Sequence, residues 1–310
     1  VASDGSLLSY IKIEGSRQII GDEEYENIIE SATIKIGSRF DRQGHALQIY
    51  FARDPARVRK DLENLVTPSR RTAINSGLDL DDLFEERIRH LQRFLTHEEC
   101  YFVLWTRASV LTKSEIERSQ KEAKEKVKTW VNAPNAQYPL ATLEPLRTRH
   151  KSFVNAIIAG LSELSIQSEL LDVHTALTHV RNNLFPDRAN DKWRACLPGD
   201  PIPTRMQRSG IDLSELLWPS LPNQITAADA KVLSPSVVRI GNLLWAGGDM
   251  TLGPMDATPF PILLNRLVEA DIPFRISFLL EGGGAYASAF RTSLATIMGV
   301  TNPTNKLVKY

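Results

Sequence analysis

The chain has 310 residues, 37 basic and 37 acidic side chains, six histidines, two cysteines and 42% hydrophobic positions. A chain of this length buries roughly three quarters of the surface its unfolded form exposes, so it needs no disulfide or metal staple, and two domains or subdomains are expected. Balanced charge excludes a protein whose main work is wrapping duplex DNA or coating an anionic membrane, because both need a large basic excess.

Cys100 and Cys196 are the only thiols, a usage typical of a reduced compartment, and the chain reads as cytosolic. Its longest apolar stretches, such as Ala156 to Leu161 and Phe102 to Trp105, fall far short of the roughly 20 residues that span a bilayer. The sequence opens at Val1 with neither an initiating methionine nor a signal-peptide pattern, and reads as a piece of a longer protein.

Ser6 to Ile13 alternates loosely between Gly5 and Gly15 and predicts a strand. From Asp22 the spacing turns helical: Tyr25, Ile28, Ile29, Ala32 and Ile36 recur at helical intervals behind Asp22, Glu23 and Glu24, with Gly37 as the stop. His45 to Arg53 predicts a second strand and Asp54 to Leu65 a second helix. Asp79 precedes an amphipathic helix whose stripe is Leu80, Leu83, Phe84, Ile88, Leu91 and Leu95. His97 to Cys100 reads as a polar cluster at a helix end, and Cys100 to Thr106 as a buried strand pairing with the first two.

Ser114 with Glu117 has the form of a capping box opening a helix to about Val131, with Glu117/Lys121 and Glu122/Lys126 spaced for ion pairs. Pro134, Pro139 and Pro145 mark a boundary, after which Leu146 to about Leu184 predicts one long or two consecutive helices, stopped by Pro186. Prolines then crowd the stretch from Pro186 to Pro222, which predicts little regular structure there. Val237 to Ala246 is strand-like around Gly241 and Asn242, Phe260 to Ala270 helical, Pro273 to Leu280 a strand, and a last helix follows Gly284.

The expected fold is therefore α+β, with two strand-helix-strand subdomains and a helical segment between them. The expected divisions are an αβ subdomain over 1–133, the helical segment over 134–185, a proline-rich excursion over 186–225 and a second αβ subdomain over 226–310.

Chemistry-bearing motifs are few. Gly282-Gly283-Gly284 lies between a predicted strand and a predicted helix, where backbone amides hold phosphates, but Ala285 and Tyr286 follow where a P-loop needs lysine and a hydroxyl. No Gly-Lys dipeptide occurs in the chain, so it carries no Walker A motif. His174 and His179, or His90 and His97, lack the four-residue spacing of a helical metal pair, and neither a nucleophile elbow nor a catalytic cysteine signature occurs. No catalytic, cofactor-binding or metal residue is expected. The densest basic cluster is Arg53, Arg57, Arg59, Lys60, Arg70 and Arg71, set against Asp54, Asp61 and Glu63. With Trp193 and Trp218 as partner anchors it forms the candidate interaction surface; the remaining tryptophans, Trp105, Trp130 and Trp245, read as core or packing residues.

The stretches Asp4 to Gly15 (DGSLLSYIKIEG), Gly44 to Arg53 (GHALQIYFAR) and Leu263 to Leu280 (LLNRLVEADIPFRISFLL) resemble the N-terminal domain of the CagE/TrbE class of type IV secretion ATPases. Within that class the wording is closest to Dot/Icm-type members and their counterparts on IncI conjugative plasmids. The resemblance implies a bacterial motor at the cytoplasmic face of the inner membrane, hexameric in the full-length parent, that energises protein or DNA translocation. Its ATP and magnesium would lie in a downstream motor domain, and this chain itself would hold no cofactor and would not be the enzyme. The implied role of such a domain is to dock the motor on inner-membrane subunits, a second ATPase of the system and neighbouring copies. A nucleic-acid-handling domain using the Arg53 to Arg71 cluster is the alternative, and an enzyme with a phosphate at Gly282 to Gly284 a third reading.

Overall fold

Gly5, with φ +82°, turns the chain into the first strand, β1 (Leu7–Ser16). The structure, a computed structural model, describes residues 1–126, 144–201, 219–248 and 265–281, apart from residues 3, 19, 41 and 42. Gly15 does not end β1. Its φ of +109° lets the strand bulge, and pairing resumes beyond it with a shifted register.

Helix α1 (Asp22–Lys35) carries its three acids in the first turn and gives way to a short 3-10 turn at Gly37. Strand β2 (His45–Asp54) pairs along its length with β3 (His97–Thr106). Between them, α2 (Val58–Asn75) runs well past Leu65 and through Pro68, which lies on the exposed side of the helix. Helix α3 (Asp81–Leu91) seals Ile88 against Val58, Leu62 and Val66. Phe84 and Leu91 flank that contact, whereas Leu80, Leu83 and Leu95 of the expected stripe are exposed.

Helix α4 (Lys113–Lys126) is capped two residues earlier than expected: Thr112 Oγ1 accepts from the Glu115 amide, and Glu115 reaches back to the Thr112 amide at 2.7 Å. Two overlapping Ser/Thr-x-x-Glu patterns compete here. The upstream one wins because Leu111, one residue before the cap, is buried with Leu7 and Leu146 and fixes the entry of the chain. Among the described residues the ion pair within this helix is Arg118 with Glu122, at 3.1 Å, while Glu115 pairs outward with Arg149.

The stretch expected as continuous helix from Leu146 to Leu184 is α5 (Glu144–Glu163), a strand β4 (Ile166–Leu170) and α6 (Val173–Leu184). Ser165, at φ +57°, breaks the helix, and Asp172 caps the next one by accepting from the amides of His174 and Thr175. Further on come α7 (Leu221–Ile225), a meander β5 (Ala230–Ser234), β6 (Val237–Ile240) and β7 (Leu243–Ala246), helical residues 265–269, and β8 (Phe274–Glu281).

The fold is α+β, as expected. Its main sheet has the order β4-β1-β3-β2-β8, antiparallel throughout, and the meander forms a second sheet, β5-β6-β7. The strands do not respect the expected divisions: β4 arises inside the segment read as helical, and β8, placed in a second subdomain, extends the first sheet beside β2. The final helix after Gly284 lies outside the described residues.

Helix α5 covers one face of the main sheet. Ile11, Leu47 and Leu104 meet Phe153, Val154, Ile157 and Leu161 in the largest buried cluster among the described residues. Each of these side chains contributes roughly 1.5–3 kcal/mol by leaving water. A polar row lies in the same interface: Ser9 Oγ and Thr106 Oγ1 each sit 2.8 Å from a ring nitrogen of His150, and His45 reaches Thr106 at 3.2 Å.

Candidate functional site

Strand alternation sends Tyr10, Gln48, Tyr50, Tyr101, Val103 and Arg275 to the opposite face of the main sheet, since Tyr10 is paired with Val103, Gln48 with Val103, and Tyr50 with Tyr101. Above that face, α6 supplies His179, Val180, Asn183 and Leu184, and the β6–β7 hairpin supplies Val238, Ile240 and Trp245. Together they enclose a largely apolar pocket of about 490 Å³, a volume typical of sites for small molecules or anchoring side chains.

The pocket floor is aromatic. Tyr50 and Tyr101 lie 6.1 Å apart, and His179 tilts against Tyr101 at 5.4 Å with its Nδ1 2.9 Å from the Tyr101 hydroxyl. Gln48 is held from both sides, accepting from Trp105 Nε1 at 3.2 Å and donating to Ser277 at 2.7 Å. At the far wall the Arg275 guanidinium lies 4.6 Å from the Trp245 ring centroid, and its charge acts on the nearby Tyr50 hydroxyl. Nε of Arg275 and Nε1 of Trp245 are shut off from solvent and have no acceptor among the described residues.

Burial dominates the acid–base character of these walls. It pushes the Tyr50 hydroxyl up to about 12 and raises Tyr101 further, with the Glu99 charge adding to the effect on Tyr101. Burial also lowers His179, so its imidazole is neutral at neutral pH. The tyrosines remain protonated and His179 is already engaged. The arrangement holds apolar groups and offers hydrogen-bond donors.

Compared with known proteins, the chain matches no family model, and no curated protein matches it.

Behind the pocket, Glu99 gathers Arg57, His97 and Asn183, each at 3.1 Å, while His97 Nδ1 faces Asp61 at 2.5 Å. Burial alone would raise the Glu99 carboxyl, but the hydrogen bonds from His97 and Asn183 and the charge of Arg57 outweigh it and hold it at about 2. The same hydrogen bond to Glu99 raises His97 against the opposing effect of burial. The His97 to Cys100 segment is thus not a helix-end cluster: it is the first part of β3, paired with Phe51 to Asp54.

The basic cluster expected as an interaction surface is largely paired internally. Arg53 is buried beside Glu98 and Asp271, Arg57 holds Asp61 and Glu99, Arg59 holds Glu63 and Glu85, and Arg70 holds Asp81 and Glu85. Lys60 and Arg71 are exposed and form no ion pair among the described residues. Trp193 stacks under Arg181, 5.2 Å away, on the proline-rich excursion. Trp218, Trp130 and Gly282 to Gly284 lie outside the described residues. Cys100 is partly buried, with its thiol pushed up to about 11 by burial, and Cys196 is exposed. Among the described residues no three His, Cys, Asp or Glu groups are placed to hold a metal ion, and no helix is long and apolar enough to cross a membrane.

Sequence reading missed the pocket. One signal pointed to it: the run Cys100 to Thr106 is apolar on both alternating faces, which requires a cover on each side of β3. Helix α5 is one cover, and the layer of α6 and the hairpin is the other.

Proposed function

We propose that this chain is a docking module that holds an apolar segment of a partner protein in the pocket between β1–β3, α6 and the β6–β7 hairpin. One observation supports binding over catalysis: an aromatic pocket of about 490 Å³ whose tyrosines are kept protonated and whose histidine is already hydrogen-bonded. The resemblance of Asp4 to Gly15, Gly44 to Arg53 and Leu263 to Leu280 supplies the setting. In that setting the chain is the N-terminal part of a CagE/TrbE-class secretion ATPase and places the motor at the cytoplasmic face of the inner membrane. The partners are then inner-membrane subunits, the second ATPase and neighbouring copies of the parent, and ATP with magnesium belongs to a motor domain further along.

Co-expression of the chain with inner-membrane subunits of a type IV secretion system tests the reading. A stable complex that weakens at least tenfold in Tyr50→Ala and Trp245→Ala supports docking. Stoichiometric ATP binding by the isolated chain, or a complex indifferent to both substitutions, overturns it.

A further inference from the structure

The pocket contains a cation without an anion. Arg53, Arg57, Arg59, Arg70, Arg107 and Arg149 each have a carboxylate within ion-pair distance. Arg275, partly buried in the pocket wall, has none among the described residues. Its neighbours are an aromatic face and the Tyr50 hydroxyl. Glu99, a carboxylate on the same face of the sheet, is already committed to Arg57, His97 and Asn183. A partly desolvated guanidinium lacking a counter-charge, its own Nε–H unsatisfied and the unsatisfied Trp245 Nε1–H beside it, is unfavourable unless a ligand completes it.

The remaining walls fix the rest of the ligand. Tyr10, Val103, Val180, Leu184, Val238 and Ile240 offer apolar surface, so the group entering is apolar with one carboxylate at its edge. The two donor residues stand on strands with an unpaired side: β7 and β8 are the outer strands of their sheets among the described residues. Such edges accept an extended backbone.

We propose that the occupant is an extended segment of a partner protein in which an aromatic or large aliphatic side chain is next to an acidic one, the carboxylate pairing with Arg275 and the apolar side chain packing over Tyr50 and Tyr101. This rests on the docking reading for the partner being a protein; the charge and shape come from the pocket itself.

The test uses short capped peptides and calorimetry on the whole chain. Acetyl-Ser-Phe-Asp-Ser-amide is expected to bind one to one, and its Phe-Asn and Ala-Asp counterparts at least about tenfold more weakly. Arg275→Gln is expected to erase the preference for Asp over Asn while keeping that for Phe over Ala. Because the substitution removes an unpaired charge, the melting temperature of the variant stays level or rises, which also verifies that it folds. Equal binding of the Phe-Asp and Phe-Asn peptides overturns the acidic requirement and leaves docking standing. Binding of 3-phenylpropionate with no peptide binding overturns the protein occupant, and the docking reading with it. Failure of every probe overturns the inference, while the co-expression experiment judges docking independently.

Discussion

The Tyr101 hydroxyl and His179 Nδ1, 2.9 Å apart, join β3 to α6 at the pocket, alongside the Asn183 to Glu99 hydrogen bond. Tyr101→Phe keeps the ring against Tyr50 but leaves the imidazole nitrogen without its partner. The expected loss is about 1–2 kcal/mol, read as a lower urea midpoint with an unchanged slope. Hydrogen exchange should quicken in α6 before it does in α5, since α5 is held separately by the core around Leu104. Uniform acceleration in both helices would contradict this division of labour.

The Glu99 and His97 pair sets a pH window. The folded carboxyl of Glu99 lies at about 2, below its ordinary 4.5, so its stabilising contribution is complete above 4.5 and is lost as pH falls toward 2. His97 is shifted the other way, above its ordinary 6.5; its contribution is complete below 6.5 and fades as pH rises through the folded value. Both are therefore fully present between about pH 4.5 and 6.5. Glu99→Gln is expected to flatten the acid limb of a stability profile, and His97→Gln the limb above pH 6.5. Unchanged limbs in the two variants would show that other groups govern the profile.

The helix α4 cap offers a comparison between neighbours. Thr112→Ala removes the hydroxyl that accepts from the Glu115 amide, with an expected loss of about 0.5–2 kcal/mol. Ser114→Ala, inside the helix, should be neutral or slightly stabilising because alanine is the better helix former. Thermal melts of the two variants decide between the overlapping boxes, and a larger drop for Ser114→Ala would reverse the assignment.

Nucleic-acid handling is tested with the side chains that remain available. Arg57 and Arg59 are tied to carboxylates, so reversing them would disturb the fold as well as the charge. Lys60→Glu with Arg71→Glu alters only exposed positions. We expect labelled single- and double-stranded oligonucleotides to bind weakly or not at all, with no change in the double variant. Salt-dependent submicromolar binding that this variant abolishes would move the nucleic-acid reading to the front.

What the sequence disclosed follows how local each signal is. Strands β2 and β3 carry their own aromatic and β-branched residues, and the apolar run Cys100 to Thr106 gave both its strand state and its two partners. Helix α3 was visible in its periodicity, although half of its stripe stays uncovered because α2 offers only Val58, Leu62 and Val66 to pack against. Strand β4 escaped notice because IQSEL is short and mostly polar, and its strand state comes from pairing with β1 across the bulge at Gly15. The pocket was illegible for a stronger reason. Trp245 and Arg275 meet through tertiary placement alone, and no spacing rule links a hairpin residue to an edge strand. The basic cluster misled in the opposite sense, since most of the acids that neutralise it, such as Glu85 and Glu99, are distant in sequence.

Strand β8 has a further consequence, for the order in which the molecule is made. Gln48 and Ser277 are 229 positions apart, yet they sit on adjacent strands and share a hydrogen bond. During translation β2 meets β3 early, but its other ladder waits for β8. At about 5–20 residues per second the delay between β3 and β8 is roughly ten to thirty seconds. Over that interval the nascent sheet presents the β2 edge, with Leu47, Ile49 and Phe51 along it, as a template for any passing strand. The ribosome-bound chain is thus most vulnerable to mispairing while the helical and proline-rich middle is being synthesised, and the arrival of Phe274 to Glu281 ends the exposure.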